Sequence, residues 1–247
     1  MFDIFFKRSK IVVDCFTTHP NSYELFPIKE ASRFLPDWWK SLPNMYMSEN
    51  EHGLRIPRGT MKRCEGLIGL YNHGFVMPLW TDLIIESDEK GFVYHFADSS
   101  GSIGYHDDNQ RGNEFKKYTH AKIHTPWRIQ EKTGVKFLFL QPSWNMPNEI
   151  TGMHTPPGII DFTYQHATNV NTFLLPERRY EWPAGKPLAH FVPLSDKEVE
   201  IKLHFIGKDD ANISRIMEPG MPSFLSSYQK IKKIQQTKSK CPFGGKS

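Results

Sequence analysis

Pro157–Pro193, PGIIDFTYQHATNVNTFLLPERRYEWPAGKPLAHFVP, decides how this chain folds. A short acidic turn at Gly158–Tyr164 is followed by an apolar strand, Asn171–Leu175, then a Pro/Gly turn and a second apolar strand, Leu188–Pro193. Short runs of β-branched and aromatic residues punctuated by Pro and Gly read as strands and turns. With 18 prolines and 17 glycines in 247 residues, the same reading extends over the rest of the chain.

Working outward, Lys10–Phe16 (KIVVDCF) reads as a first strand. Gly74–Glu86 and Gly91–Ala97 flank the acidic turn Ser87–Lys90 and predict a hairpin. His120–Trp127 and Val135–Gln141 are further β-runs, and Glu198–Ile206 alternates polar and apolar residues, which predicts one wet face. Pro27–Leu42 places Ala31, Phe34, Leu35, Trp38 and Trp39 at helical spacing, with Pro36 ending or kinking the helix. The two tryptophans read as an anchor pinning that helix to a sheet. Asn44–Lys62 and Ser99–Lys117 are polar, lack a sustained period and read as long loops.

Beyond Gly207 the pattern becomes helical. Asp209 or Asp210 caps a helix through Met217, and Pro222 opens a second with Phe224, Leu225, Tyr228 and Ile231 on one face. The expectation is therefore a mainly β fold with a helix near the N-terminus and helices at the C-terminus. Residues 1–206 form one β-rich domain and 207–247 a basic helical tail.

A content of 38% hydrophobic and 13% aromatic residues excludes a disordered chain. The net charge is only +4. Much of the excess lies in Lys230, Lys232, Lys233, Lys238, Lys240 and Lys246, with no acid after Glu218. Such a run reads as a solvated helix face, and without an aromatic–basic platform nucleic acid is not an expected partner. Cys15, Cys64 and Cys241 are odd in number and widely spaced, which suggests reduced thiols. No apolar run approaches the ~18 residues of a membrane span. The opening MFDIFFKRSK lacks the order of a secretion signal, so a cytoplasmic protein is expected.

For chemistry, the first candidate is Asp161, three residues before Tyr164. A carboxylate and a ring at that spacing suit one pocket mouth, the acid orienting or deprotonating a water and the ring pressing on a sugar. An Asp after two isoleucines is also a common turn cap.

GIIDFTY resembles the Gly-x-Ile-Asp-x-x-Tyr motif of the trimeric dUTPases and their dCTP deaminase relatives, the β-clip nucleotide enzymes. GKPLAHF, beginning 24 residues after Asp161, is similar to their Gly-x-x-Ile-Ala-Gln-Leu/Met element. Gln141-Pro142-Ser143 stands where the family has a Pro-Arg-Ser phosphate turn, with Ser143 fifteen residues before Gly158. Thr81-Asp82-Leu83 resembles the first motif, and Phe243-Gly244-Gly245 is similar to the closing C-terminal arm. The resemblance covers roughly residues 75–195, with an insertion between Ser87 and Tyr118. The outer parts, TMKRCEGLIGLYNHGFVMPLWTD and PDWWKSLP, resemble an uncharacterised family of phages and bacteria, whose home would be the host cytoplasm.

The resemblance implies a β-clip or distorted double-sheet barrel, and a homotrimer with pockets between subunits. It implies binding of a deoxynucleotide or similar phosphorylated small molecule, with possible pyrophosphate hydrolysis. Asp161 would be the water-orienting base, Tyr164 the deoxyribose stack, Ser143 a phosphate ligand, Asp82 a site contact and Phe243 the ring over the base. Mg²⁺ would be held mainly by the ligand's phosphates. His190 takes the place of the family's glutamine, and Pro142 replaces the arginine that stabilises phosphoryl charge. The scaffold is therefore carried further than the hydrolase activity.

Two other readings stand beside it. His106 and Asp108 have the His-x-Asp spacing which, with His166 or His190, makes a facial triad for Fe(II). A scaffold without the phosphate arginine also suits a non-catalytic structural or interaction protein. Cys64 after Lys62-Arg63 reads as an idle thiol, and the scattered histidines as surface or satisfied core residues.

Overall fold

In the run Thr119–Glu131 the residues from Ala121 onward are buried at every second position, because one face of a strand meets the core and the other does not. That strand is the centre of the largest sheet in the computed structural model, which describes residues 10–146 and 152–207. The expected C-terminal helices, Phe243 and Cys241 lie outside the described residues.

The strands are β1 (Ile11–Thr17), β2 (Lys29–Glu30), β3 (Met45–Glu49), β4 (Arg55–Gly59), β5 (Phe75–Pro78), β6 (Leu83–Ser87), β7 (Phe92–Phe96) and β8 (Ser102–Gly104). They continue as β9 (Thr119–Glu131), β10 (Phe137–Leu140), β11 (Met153–His154), β12 (Gly158–Ile160), β13 (Ala167–Leu174), β14 (Arg178–Trp182), β15 (Pro187–Pro193) and β16 (Val199–Phe205). The α-helices are short: α1 (Pro20–Glu24), α2 (Asp37–Ser41), α3 (Glu65–Tyr71) and α4 (Asp108–Arg111).

A six-stranded sheet runs β11-β13-β9-β1-β16, with β8 also on β9. A five-stranded sheet runs β12-β10-β15-β5-β2, and a three-stranded one β14-β6-β7. The fold is mainly β, as expected, with open sheets; none of them closes into a barrel. Between the sheets, Phe75, Phe137, Phe162 and Phe191 are fully buried, with Phe75 stacked on Phe191 at 4.9 Å between centroids. Each such ring contributes about 1.5–3 kcal/mol by leaving water.

Three expectations change in detail. The helix over Pro27–Leu42 is a 3₁₀ turn at Ala31–Phe34 and then α2, split at Pro36, where the ring and the missing N–H break the ladder. The Gly74–Glu86 run is two strands, β5 and β6, because the chain leaves one sheet for another after Pro78. The loop expected over Asn44–Lys62 is instead the β3–β4 hairpin, which pairs with no other strand among the described residues.

Trp38 and Trp39 pack beside Leu67 and Tyr71 of α3. Trp38 Nε1 donates to the Trp144 carbonyl at 2.8 Å, and Trp39 Nε1 to the Met61 carbonyl at 3.1 Å. They are anchors, set against a helix and two turns. Among the described residues no helix is long and apolar enough to cross a membrane.

Candidate functional site

β12 is a three-residue edge strand on β10, and Phe162, fully buried, ends the excursion by plugging the aromatic core. Asp161, 7% exposed, therefore sits at the start of a tight turn. Its Oδ1 accepts the Thr163 amide at 3.2 Å, and its carbonyl accepts the amides of Tyr164 at 3.1 Å and Gln165 at 2.9 Å. This carboxylate caps a turn, which satisfies backbone groups that would otherwise be buried without partners. Tyr164 is held in the same turn.

Ser143 opens a 3₁₀ turn at Ser143–Asn145, just past β10. Its amide donates to the Gln141 carbonyl at 2.8 Å, and its hydroxyl is 3.5 Å from the same oxygen, at the limit of a hydrogen bond. Asp82 stands at the joint between β5 and β6, where its Oδ1 accepts the Ala184 amide at 2.7 Å. His190, 2% exposed, places Nε2 3.1 Å from the His73 carbonyl. A carbonyl only accepts, so Nε2 carries the proton, and burial holds the imidazole's pKa below its ordinary value. The ring lies against Tyr71, 5.8 Å between centroids, and the Tyr71 hydroxyl donates to Asn145 Oδ1.

The register separates these residues into two groups. Phe137 faces Ile160 and Phe139 faces Gly158, so Asp161 lies beyond the first end of β10 and Ser143 beyond the last. The four residues of β10 between them span roughly 13 Å at ~3.3 Å per residue. Leu140 faces His190, and Pro187 faces Pro78, so Ser143, His190 and Asp82 belong to one end of this sheet and Asp161 with Tyr164 to the other. One chain does not bring the two groups into a single pocket.

The metal readings find little to use. Asp82 and Asp161 each give one carboxylate oxygen to a backbone amide. The Fe(II) triad is not assembled. Asp108 pairs with Arg111, and the ring of His106 stacks on His120, 4.7 Å between centroids. His166 donates through Nδ1 to the Ile129 carbonyl at 3.0 Å. Among the described residues no three His, Cys, Asp or Glu side chains are placed to hold a metal ion. Cys15 is buried, and that burial pushes its thiol up, away from reactivity; Cys64 is exposed.

One concave feature escapes the sequence reading. A cleft of about 510 Å³ lies between Glu30–Ser32, Tyr71–Gly74 and Ser195–Val199, with Lys10 at its side. None of the residues chosen from sequence lines it. Its walls come from three segments far apart in the chain, so no local pattern announces it. The chain matches no protein-family model and no curated protein.

Proposed function

We propose that this chain is a non-catalytic interaction protein that assembles through its β3–β4 hairpin. The carrying observation is that this hairpin pairs with no other strand among the described residues and holds large apolar side chains in water. Met45 is 46% exposed, Tyr46 49%, Met47 58% and Leu54 63%. An isolated two-stranded hairpin is marginal in water, and apolar side chains gathered on it mark a surface that is covered in use. Its base is firm: Thr60 bonds back to Pro43 and Asn44, and Trp39 holds Met61. The structural duties of Asp161, Asp82 and His190 support a non-catalytic role. Two free thiols, Cys15 and Cys64, support a reducing compartment such as the cytoplasm.

Light scattering of the full chain tests this reading. An oligomer is expected, reduced to monomer by Tyr46→Glu with Met47→Glu at an unchanged melting temperature. A wild-type monomer at working concentration overturns it.

A second reading is favoured by the two groups at opposite ends of β10. In a β-clip-like homotrimer, Asp161 and Tyr164 of one copy would meet Ser143 and Asp82 of another, around a deoxynucleotide or similar phosphorylated ligand. Calorimetry with dUTP, dCTP and dUMP in the presence of Mg²⁺ decides it. Heat with any of them supports the shared pocket; no heat and no thermal shift with all three ends it.

A further inference from the structure

The outer face of the six-stranded sheet carries a cation that none of the described residues neutralises. Arg128 is partly buried on β9, opposite Phe16 of β1 and Ala167 of β13. Of its five N–H donors, Nη1 donates to the Trp127 carbonyl at 3.2 Å. Its Nε is enclosed and without a partner, and among the described residues no carboxylate lies within ion-pair distance. The nearest acid by register, Asp14 opposite Gln130, is already bound to His204 Nε2 at 2.8 Å and to Lys132 at 3.5 Å. Taking a guanidinium out of water without an anion is costly, so an uncompensated one at the surface of a sheet calls for a physical explanation.

The backbone around it is built irregularly. Ala167 faces Arg128 but Asn169 faces His124, so four residues of β9 advance against two of β13. The extra residues surround Pro126, which has no N–H to give to a ladder. Thr125 fixes the bulge by donating to the Thr168 carbonyl at 2.8 Å, while Trp127 is driven fully into the core. A bulge re-aims side chains, and this one makes His124 and Arg128 neighbours on the outer face. His124 Nδ1 is 3.0 Å from Asn169 Oδ1, and Lys122 stands two residues before it on the same face. Lys122 and Arg128 both act on the His124 imidazole as unfavourable positive charges.

We propose that Arg128, His124 and Lys122, gathered by the Thr125–Trp127 bulge, form a recognition site for a phosphate-type oxyanion. Two permanent cations match a dianion, and the arginine fork matches its tetrahedral oxygens. The same chemistry is offered by free inorganic phosphate and by a phosphate monoester on a larger ligand. The site is independent of the ligand reading built on Asp161 and Ser143.

The test is a titration of the full chain with inorganic phosphate and with glycerol 3-phosphate, followed by calorimetry and by the histidine ring signals in NMR. Saturable binding is expected, with the His124 signals shifting and its protonation moving to higher pH. Arg128→Met should weaken binding by about tenfold or more, as removing one member of a charge pair does. Its melting temperature should hold or rise, because an unpaired cation has been removed. His124→Gln should weaken binding less and identify the shifting signals. Equal affinity for the two probes assigns the site to the free anion, and tighter binding of the monoester assigns it to an esterified ligand. No saturation by either probe up to ~10 mM overturns the proposal, as does binding unchanged in both variants.

Discussion

The carboxylate of Asp82 accepts the amide of Ala184 at 2.7 Å, joining two turns that are 102 residues apart in the chain. Both turns carry the chain between the same two sheets, β5 to β6 and β14 to β15. Leu79 donates to the Lys186 carbonyl at 2.9 Å and accepts from the Gly185 amide at 2.7 Å, so the crossing is a short backbone ladder locked by one side chain. Asp82→Ala is therefore expected to cost about 1 kcal/mol, a fall of roughly 2–4 °C in melting temperature for a chain of this size. Asp82→Asn keeps an accepting oxygen and should recover most of it. An unchanged melting temperature in the alanine variant would free Asp82 for a ligand instead.

Asp161 allows a sharper separation of roles. As a turn cap it should tolerate Asn, whose side-chain oxygen also accepts the Thr163 amide, and should lose about 1–2 kcal/mol on replacement by Ala. As a catalytic base it would lose its activity with Asn at unchanged stability. Urea unfolding of the two variants, read beside any turnover of dUTP, distinguishes these outcomes.

Gly74 has φ +75°, and a Cβ added there would meet the Phe191 carbonyl oxygen at 1.9 Å. The obstacle is backbone in the centre of the core, so Gly74→Ala is expected to cost on the order of 3 kcal/mol or more and to lower soluble yield. Glu177 presents the reverse case, an exposed non-glycine at φ 57°. Glu177→Gly should gain about 0.5–1 kcal/mol by relieving the left-handed backbone. Chemical denaturation of both variants checks the pair.

Acid should loosen the strap from Tyr105 to Tyr118 that lies over β9. The His106 amide donates to His120 Nδ1 at 3.0 Å, and the two rings stack. Burial above all, with His106, Arg111 and Lys122 adding positive charge, pushes His120 down to about 4. His106, His124 and His190 are shifted the same way, each first by burial. The unfolded chain then binds protons near pH 6.5 that the folded chain refuses until about pH 4, so stability falls as pH drops through that window. From His120 alone the loss is on the order of 3 kcal/mol. Urea midpoints at pH 7 and 4.5 should differ, and His120→Gln should shrink the difference; identical midpoints would contradict this account.

Runs of β-branched and aromatic residues made β1 and β7 readable, and period-two patterning made β16 readable. The β3–β4 hairpin left no such trace, because both its faces meet water and burial imposed no alternation. What it did leave was its turn: Asn50 Oδ1 accepts the amides of His52 and Leu54, and Gly53 takes φ +72°. The capping role of Asp161 was legible as an Asp closing a strand. Its separation from Ser143 was not, because that depends on the register of β10 against β12. The isolation of Arg128 was likewise hidden, since it rests on a bulge and on Asp14 of the neighbouring strand being taken up by His204 and Lys132.

β1 and β16 run parallel, with Ile11 beside Val199 and Thr17 beside Phe205. Asp14 and His204 meet across 190 residues of chain. During synthesis at 5–20 residues per second, β1 therefore waits roughly 10–40 s for its neighbour. Through that interval one side of the first described strand stays open to any passing edge, so the largest sheet is sealed only after every other described strand has been synthesised. A chain of this design has a vulnerable period in its birth, and production at lower temperature or with chaperone support should raise the soluble yield.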